Sequence, residues 1–117
     1  MVVEPEPGVR DLIAEILELH GYQVLSARDA DEADVLSRSH PGPLALVIAD
    51  LLVPGVSGDG LRQRLGPTRA MARVLYLSGD LEDAVADHRA AGPERGFLHK
   101  PFTVDALVQK VREIIGR

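Results

Sequence analysis

The sequence contains an uninterrupted apolar run that ends in a carboxylate, Leu44-Ala45-Leu46-Val47-Ile48-Ala49-Asp50. The run is too short for most helices, and Pro-Gly segments flank it on both sides, which favours a strand buried on both faces of a parallel sheet. Sheets of this kind carry their functional groups at the carboxyl ends of their strands. Asp50 is therefore the first candidate for a reactive residue, although an Asp after a strand is also a common turn former or helix cap.

Strand and helix patterns alternate along the whole chain. The predicted strands are Val2-Val3, Tyr22–Ser26, Leu44–Asp50, Arg73–Leu77 and Phe97–His99. The first predicted helix begins near Val9 and ends at His20-Gly21, and the second runs from Asp29 to Ser39. The third passes through Leu61 and Leu65, the fourth runs from Leu81 to Ala91, and the fifth follows Lys100-Pro101-Phe102. Their inward stripes include Leu12 in the first helix, Leu36 and, as a further candidate, Val35 in the second, and Val104 in the last. Units of roughly twenty residues that alternate in this way predict a doubly wound α/β domain with right-handed crossovers.

Length and composition narrow the class of protein. A chain of 117 residues corresponds to one domain with its own core, and we expect residues 1–117 to form one domain. The absence of cysteine excludes disulfides and thiolate metal sites and suits a reducing, cytoplasmic setting. A net charge of −5 argues against direct binding of nucleic acid. We see no apolar run long enough for a membrane span and no signal segment, which predicts a soluble, unexported protein.

Four predicted strands end in side chains of complementary chemistry: Glu4 after the first, Asp50 after the third, Ser78 after the fourth and Lys100 after the fifth. Two carboxylates suit a hard divalent cation, while a hydroxyl and an ammonium suit phosphoryl oxygens. Separately, such residues are most often a helix cap or a solvated charge. Together they indicate transfer of a phosphoryl group onto a carboxylate, with Asp50 as the acceptor.

The same segments carry a resemblance that extends from one end of the chain to the other. Val2–Arg10, Asp50–Gly58, Leu77-Ser78-Gly79 and Lys100-Pro101-Phe102 resemble the acidic opening, phosphoacceptor loop, switch hydroxyl and lysine of two-component response-regulator receiver domains. The Ser78-Gly79 pair, and Phe97 three residues before Lys100, are most similar to receivers attached to hybrid sensor histidine kinases. The resemblance implies a flavodoxin-like receiver fold, with five strands in the order 2-1-3-4-5 and five helices.

The resemblance also implies a role for each matching residue. Asp50 would be the phosphorylation site, Lys100 the counter-ion of the phosphoryl group, and Ser78 the hydroxyl that moves toward it. Phe97 would be the aromatic switch residue that changes rotamer. The metal would be Mg²⁺, held by Asp50, by the backbone carbonyl of Leu52 and by Glu4 through water. The Lys100–Pro101 peptide bond would be cis.

The resemblance further implies a signalling role and not that of an enzyme, beyond self-catalysed phosphorylation and dephosphorylation. The phosphoryl group would come from a histidine kinase or a histidine phosphotransfer protein. No effector pattern is present in the chain, so the output would pass through a downstream protein or through another part of a longer chain. The abrupt opening at Met1 also fits a domain excised from such a chain.

One position departs from the family pattern. The family usually has two adjacent acids after the first strand, and here the second is Pro5, which has no side-chain oxygen. In the family this second acid is expected to contact the metal directly. We therefore expect weak magnesium binding and slow phosphorylation.

Alternative functions fit the sequence less well. A haloacid-dehalogenase-type phosphatase needs a second Asp two residues after the nucleophile, where this chain has Leu52. Neither a phosphate-binding G-x-x-x-x-G-K-[ST] loop nor a G-x-G-x-x-G loop is present. Gly55-Val56-Ser57-Gly58 lacks the last glycine of a nucleophile elbow. The main alternative is a degenerate receiver that docks a partner without being phosphorylated, which Pro5 favours and the four retained strand-end residues disfavour.

Overall fold

Five parallel strands form one sheet in the computed structural model, which describes residues 1–40, 42–53, 73–79 and 95–116. The strands are β1 (Val2–Val3), β2 (Ser26–Ala27), β3 (Leu46–Asp50), β4 (Arg73–Ser78) and β5 (Arg95–His99). Their order across the sheet is β2-β1-β3-β4-β5. The predicted doubly wound fold and its strand order are confirmed.

The described residues contain three helices, α1 (Pro7–Leu19), α2 (Ala30–Ser39) and α3 (Val104–Ile115). Asp29 caps α2 by accepting a hydrogen bond from the Glu32 backbone NH, and Thr103 caps α3 in the same way. Gly21, just after α1, has a φ of +90°, a backbone conformation that residues with a side chain rarely adopt. The two other predicted helices, through Leu61 and Leu65 and over Leu81–Ala91, lie outside the described residues.

Apolar side chains cover both faces of the sheet. On one face, strand residues such as Val3, Val47 and Tyr76 pack with Ala30 and Ala33 of α2. On the opposite face, the buried residues come from β1, β3 and β4 and from α1 and α3; they are Val2, Ile13, Ile16, Leu17, Leu46, Ile48, Leu75, Leu77, Leu107, Val108 and Val111. Because both faces are buried, β3 and β4 read as nearly continuous apolar runs.

Several predicted boundaries were wrong. The second strand is Ser26–Ala27 and not Tyr22–Ser26, because β1 has only two residues and offers β2 only two pairs, Val2 with Ser26 and Val3 with Ala27. The third strand begins at Leu46, where its pairing with β4 begins, and not at Leu44. β4 and β5 are longer than predicted, because β4 ends at Ser78 and not at Leu77, and β5 begins at Arg95 and not at Phe97.

Three residues assigned to inward stripes are exposed: Leu12 to 50%, Val35 to 58% and Val104 to 50%. A helix that packs on one face of a sheet buries a single stripe, and side chains at the border of that stripe remain in solvent. Leu36, predicted to face inward from the same helix as Val35, packs against the core.

The Lys100–Pro101 peptide bond is cis, as the resemblance implied. No helix among the described residues is both long and apolar enough to cross a lipid bilayer.

Candidate functional site

Sheet register brings Glu4 and Asp50 together at the carboxyl end of the sheet. Val3 pairs with Ala49 across β1 and β3, so the next residues in register are Glu4 and Asp50. The Glu4 backbone NH donates to the Ala27 carbonyl at 2.9 Å, which extends the β1–β2 pairing past Val3. Both acids are buried, with Glu4 fully inaccessible to solvent and Asp50 only 2% exposed.

Lys100 joins the two acids. Its Nζ atom donates to Glu4 Oε1 at 3.1 Å and to Glu4 Oε2 at 2.9 Å, and it also forms an ion pair with Asp50 Oδ2. The Lys100 backbone NH donates to the Ser78 carbonyl at 2.7 Å, which ties the end of β5 to the end of β4. The lysine side chain is 22% exposed, which makes it the most solvent-exposed of the three side chains.

The ionisation of Glu4 and Lys100 is linked. Burial raises the pKa of the Glu4 carboxyl, and the hydrogen bond and charge of Lys100 oppose that rise only in part. Burial would lower the pKa of the Lys100 ammonium, but hydrogen bonds and attraction to Asp50 and Glu4 outweigh it, so the net pKa is raised. The side chain of Lys100 is therefore an ammonium at neutral pH.

Backbone groups orient both carboxylates. Asp50 Oδ1 accepts a hydrogen bond from the Leu52 NH at 2.7 Å, and the Val53 NH closes the turn onto the Asp50 carbonyl at 3.1 Å. Glu4 Oε1 accepts from the Glu6 NH at 3.3 Å. Arg10 donates from Nη1 to the Glu4 backbone carbonyl at 2.9 Å, and this hydrogen bond holds the main chain in place at Glu4.

Ser78 lies at the end of β4, next to the strand that carries Asp50, and Phe97 lies on the adjacent strand β5. Ser78 ends β4, one residue past Leu77, the partner of Asp50 in the sheet. Phe97 pairs with Tyr76 across β4 and β5, and their ring centroids are 5.4 Å apart. Both Ser78 and Tyr76 are buried, whereas Phe97 is partly exposed. The contact between the Tyr76 and Phe97 rings thus connects β4, which carries the Ser78 hydroxyl, to a partly exposed side chain of β5.

The donor set is compatible with magnesium but small. Mg²⁺ typically takes one or two carboxylates from a protein and completes its octahedron with water and phosphate oxygens. Asp50 and Glu4 supply that number, and Leu52 lies in the turn directly after Asp50. Pro5 is exposed and adds no side-chain oxygen. Both carboxylate oxygens of Glu4 already accept hydrogen bonds from Lys100. Among the described residues, no group of three or more His, Asp or Glu is arranged to hold a metal ion.

Sequence reasoning identified the strand-end side chains but missed three supporting groups: the Leu52 NH, the Arg10 guanidinium and the Tyr76 ring. The Arg10 contact spans six residues, from the first helix back to the acid, and no local pattern marks it. Tyr76 gave a weak signal, since it lies two residues before Ser78 and hence on the same face of its strand.

Comparisons with known proteins bear on the family and the fold of the chain. The sequence profile described as "Response regulator receiver domain" matches residues 1–112. The chain is 31% identical to the sensor kinase CckA of Brucella abortus over 117 residues, which is all of this chain and 12% of that protein. It is 32% identical to the phosphate regulon transcriptional regulatory protein PhoB of Escherichia coli K12 over 124 aligned positions, covering all of this chain and 51% of PhoB.

Among solved structures, the receiver domain from the hybrid histidine kinase CckA superposes with a TM-score of 0.77 at 29% identity, covering 97% of this chain and 95% of that one. The chain thus spans about an eighth to a half of these two curated relatives, CckA and PhoB, and nearly all of the solved receiver. The profile match over residues 1–112 and the shared sheet show that the chain belongs to the family of response regulator receiver domains.

Proposed function

We propose that Asp50 is the phosphoacceptor of this receiver domain. The observation that supports this most is the bridge from Lys100 Nζ to both Glu4 and Asp50, at the carboxyl ends of three parallel strands. A lysine that is itself partly buried and held between two acids has a pre-set position from which to contact incoming phosphoryl oxygens.

The transfer forms one bond and breaks one. A carboxylate oxygen of Asp50 bonds to phosphorus as the bond from phosphorus to a donor imidazole nitrogen breaks, and the imidazole leaves with its electron pair. Lys100 offsets charge on the equatorial oxygens during this step, and the Leu52 NH holds the carboxylate in orientation. The product is an acyl phosphate, whose lability suits a reversible signal.

Magnesium would be held by Asp50 and the Leu52 carbonyl, with Glu4 acting through water. When bound, the ion neutralises part of the charge on the transferring group. Lys100 already holds both Glu4 oxygens, which leaves Glu4 as an outer partner. We therefore propose that magnesium binds weakly and that phosphorylation depends on it.

Ser78 and Phe97 would pass the modification on to a partner surface. Phosphorylation adds about 1.5–2 negative charges and new acceptor oxygens close to Ser78. The hydroxyl would move toward them, and the Phe97 ring would change rotamer at the edge that contacts Tyr76. The affected surface would lie on β5 and on the predicted helix Leu81–Ala91.

The partners follow from the chemistry of the donor. A phosphorylated histidine of a kinase or of a histidine phosphotransfer protein would supply the group, and a second protein or another part of a longer chain would receive the signal. We propose a cytoplasmic setting for this exchange. A degenerate receiver is the second candidate, and the specific observation in its favour is the missing oxygen at Pro5.

The test is intact mass after incubation with acetyl phosphate and Mg²⁺, comparing the natural chain with Asp50→Asn. We expect one added phosphoryl group on the natural chain, none on the variant, and none on either protein in the presence of excess chelator. A phosphoryl adduct on Asp50→Asn would contradict the assignment of the acceptor. A natural chain that stays unmodified at high donor and magnesium concentrations would favour the degenerate receiver.

A further inference from the structure

Arg10 is the one Lys or Arg in the sequence of α1, and it lies near the end of the helix where a cation is least favourable. The amino end of a helix carries a partial positive charge, which favours acids there and disfavours cations. Arg10 follows directly on the first turn of α1, and that turn carries no acid. The macrodipole of α1 thus disfavours an arginine at this position, and the reason for it lies outside the helix.

The partly buried side chain of Arg10 turns back to Glu4, the residue directly after β1. Its Nη1 atom donates to the Glu4 carbonyl oxygen at 2.9 Å. The Arg10 backbone NH donates to the Glu6 carbonyl, also at 2.9 Å. The arginine is therefore fixed both by its main chain and by its side chain. Because a guanidinium is not deprotonated in proteins, the bond to Glu4 persists at every pH at which the protein folds.

Among the described residues, the sheet supplies no donor to the Glu4 carbonyl. The register of β1 with β2 ends one residue before Glu4, and the Glu4 NH donates to the Ala27 carbonyl at 2.9 Å. The backbone NH of Arg28, the residue after β2, donates to the Glu32 side chain at 2.8 Å. Since Glu4 is fully buried, a carbonyl without a partner would be costly at this position. Arg10 supplies the donor that the sheet lacks.

These contacts fix the main chain from which the Glu4 carboxylate projects. Its NH is held by β2 and its carbonyl by Arg10. Pro5 fixes its own φ and restricts Glu4 to extended backbone. The carboxylate then accepts from Lys100 through both oxygens and from the Glu6 NH through Oε1. Arg10 bonds to the carbonyl and not to the carboxylate, so it acts on Glu4 through position and not as its counter-ion.

We propose that Arg10 is a positioning residue, which holds the Glu4 carboxylate against Lys100 and in place for water-mediated contact with magnesium. The contact between Glu4 and Lys100 involves neither metal nor phosphate, whereas the contact with magnesium rests on the function proposed for Asp50. The position of Glu4 matters in this chain because Pro5 stands where the family usually has a second acid. Removing groups that orient metal ligands typically weakens metal binding by about 10–100-fold.

The first test follows the Lys100 ammonium by NMR in the natural chain and in Arg10→Met, without magnesium. The sequence contains two lysines, Lys100 and Lys110, so isotopically labelled lysine gives two side-chain ammonium signals. We expect the Lys100 ammonium protons to exchange with water about threefold faster in Arg10→Met, because Glu4 no longer holds them in place. Lys110, which pairs with Glu113 on α3, should exchange at the same rate in both proteins. Unchanged exchange at Lys100, or equal changes at both lysines, would overturn the proposal.

The second test is a magnesium titration followed by backbone amide signals. We expect Arg10→Met to weaken magnesium binding by about tenfold. Arg38→Met is the matched control, because it removes the same charge from an exposed arginine that pairs with Asp34 on α2, and it should leave the affinity unchanged. In a Glu4→Gln chain, Arg10→Met should weaken binding no further, since the carboxylate that it positions is gone. Equal weakening by Arg10→Met with and without Glu4→Gln, or by Arg38→Met, would contradict the assigned role.

Neither readout involves phosphorylation. A natural chain that stays unmodified by a phosphoryl donor would overturn the function proposed for Asp50, and the exchange rate at Lys100 would still decide whether Arg10 positions Glu4.

Discussion

In the part of the chain that the structure describes, Lys100 is the cation that makes two adjacent buried acids compatible. Without a cation, carboxylates at the positions of Glu4 and Asp50 would repel each other in a site that water hardly reaches. With Lys100 present, both Glu4 oxygens and Asp50 Oδ2 have a charged donor. Under the proposed function the same cation would contact an incoming phosphoryl group, so stability and chemistry would depend on one side chain.

We expect Lys100→Met to lower the free energy of unfolding at pH 7 by about 3 kcal/mol, because it leaves two buried acids without their partner. Urea denaturation measures this. The control is Glu4→Gln combined with Lys100→Met, which removes one of the stranded acids and should recover part of the loss. A double variant no more stable than Lys100→Met would show that Lys100 acts mainly through packing.

Under the proposed function, Pro5 would limit how strongly the site binds magnesium. We expect Pro5→Asp to tighten magnesium binding by about tenfold, since it adds a carboxylate to a set that now has two, and to speed phosphorylation by acetyl phosphate. Magnesium titration with phosphorylation as the signal measures both. Pro5→Asn is the matched control: it frees the backbone without adding charge and should gain little. Equal magnesium affinity in the natural chain and Pro5→Asp would mean that another group completes the site.

At the scale of elements, the short strand β1 places a buried ammonium in the sheet of a polypeptide that consists of residues 1–117. Burial lowers the pKa of the Met1 amino group from 8.0 to about 6. Between these values the unfolded chain binds more protons than the folded one, so we expect the free energy of unfolding to rise from pH 6 to pH 8. The full effect is about 2–3 kcal/mol.

Denaturation of the natural chain and of an amino-terminally acetylated chain across this pH range isolates the effect, because the histidines are common to both proteins. The rise should be absent after acetylation. If both chains show the same pH dependence, the amino group is not responsible for it.

The contact between β4 and β5 gives a prediction for the switch. We expect binding of a phosphoryl mimic such as beryllofluoride to shift the NMR signals of the Phe97 ring and of Tyr76, because the ring contact at 5.4 Å must change when Ser78 moves. Ser78→Ala should bind the mimic with a smaller shift at Phe97. Unchanged Phe97 signals in the natural chain, with the mimic bound, would show that the switch is absent.

Element types were predictable from the sequence because apolar periodicity reports burial directly. β3 was recognisable as a run buried on both faces, and α3 by its apolar stripe. The extent of β2 was not predictable, since Tyr22–Leu25 has the composition and alternation of a strand but lies beside a β1 that supplies only two residues for pairing. Strand boundaries depend on a partner elsewhere in the chain, which local sequence does not show.

For the whole molecule, parallel strand order determined most of the candidate site. Once the strands are known to be parallel, the residues that follow them must meet at one edge, which brings Glu4, Asp50 and Lys100 together. Their hydrogen bonds were beyond sequence reasoning, as was the support from Arg10, because these depend on side-chain direction.

The most direct measurement of the central claim is the chemical identity of the phosphorylated residue. Borohydride reduces an acyl phosphate on aspartate to homoserine, and peptide mass spectrometry then locates that residue in the chain. After phosphorylation in the presence of magnesium, we predict homoserine at position 50 and at no other aspartate, and no 2-amino-5-hydroxypentanoic acid, the corresponding product from a glutamyl phosphate, at Glu4. Phosphorylated chain that yields no homoserine at position 50, or yields the reduced residue elsewhere, would contradict the account.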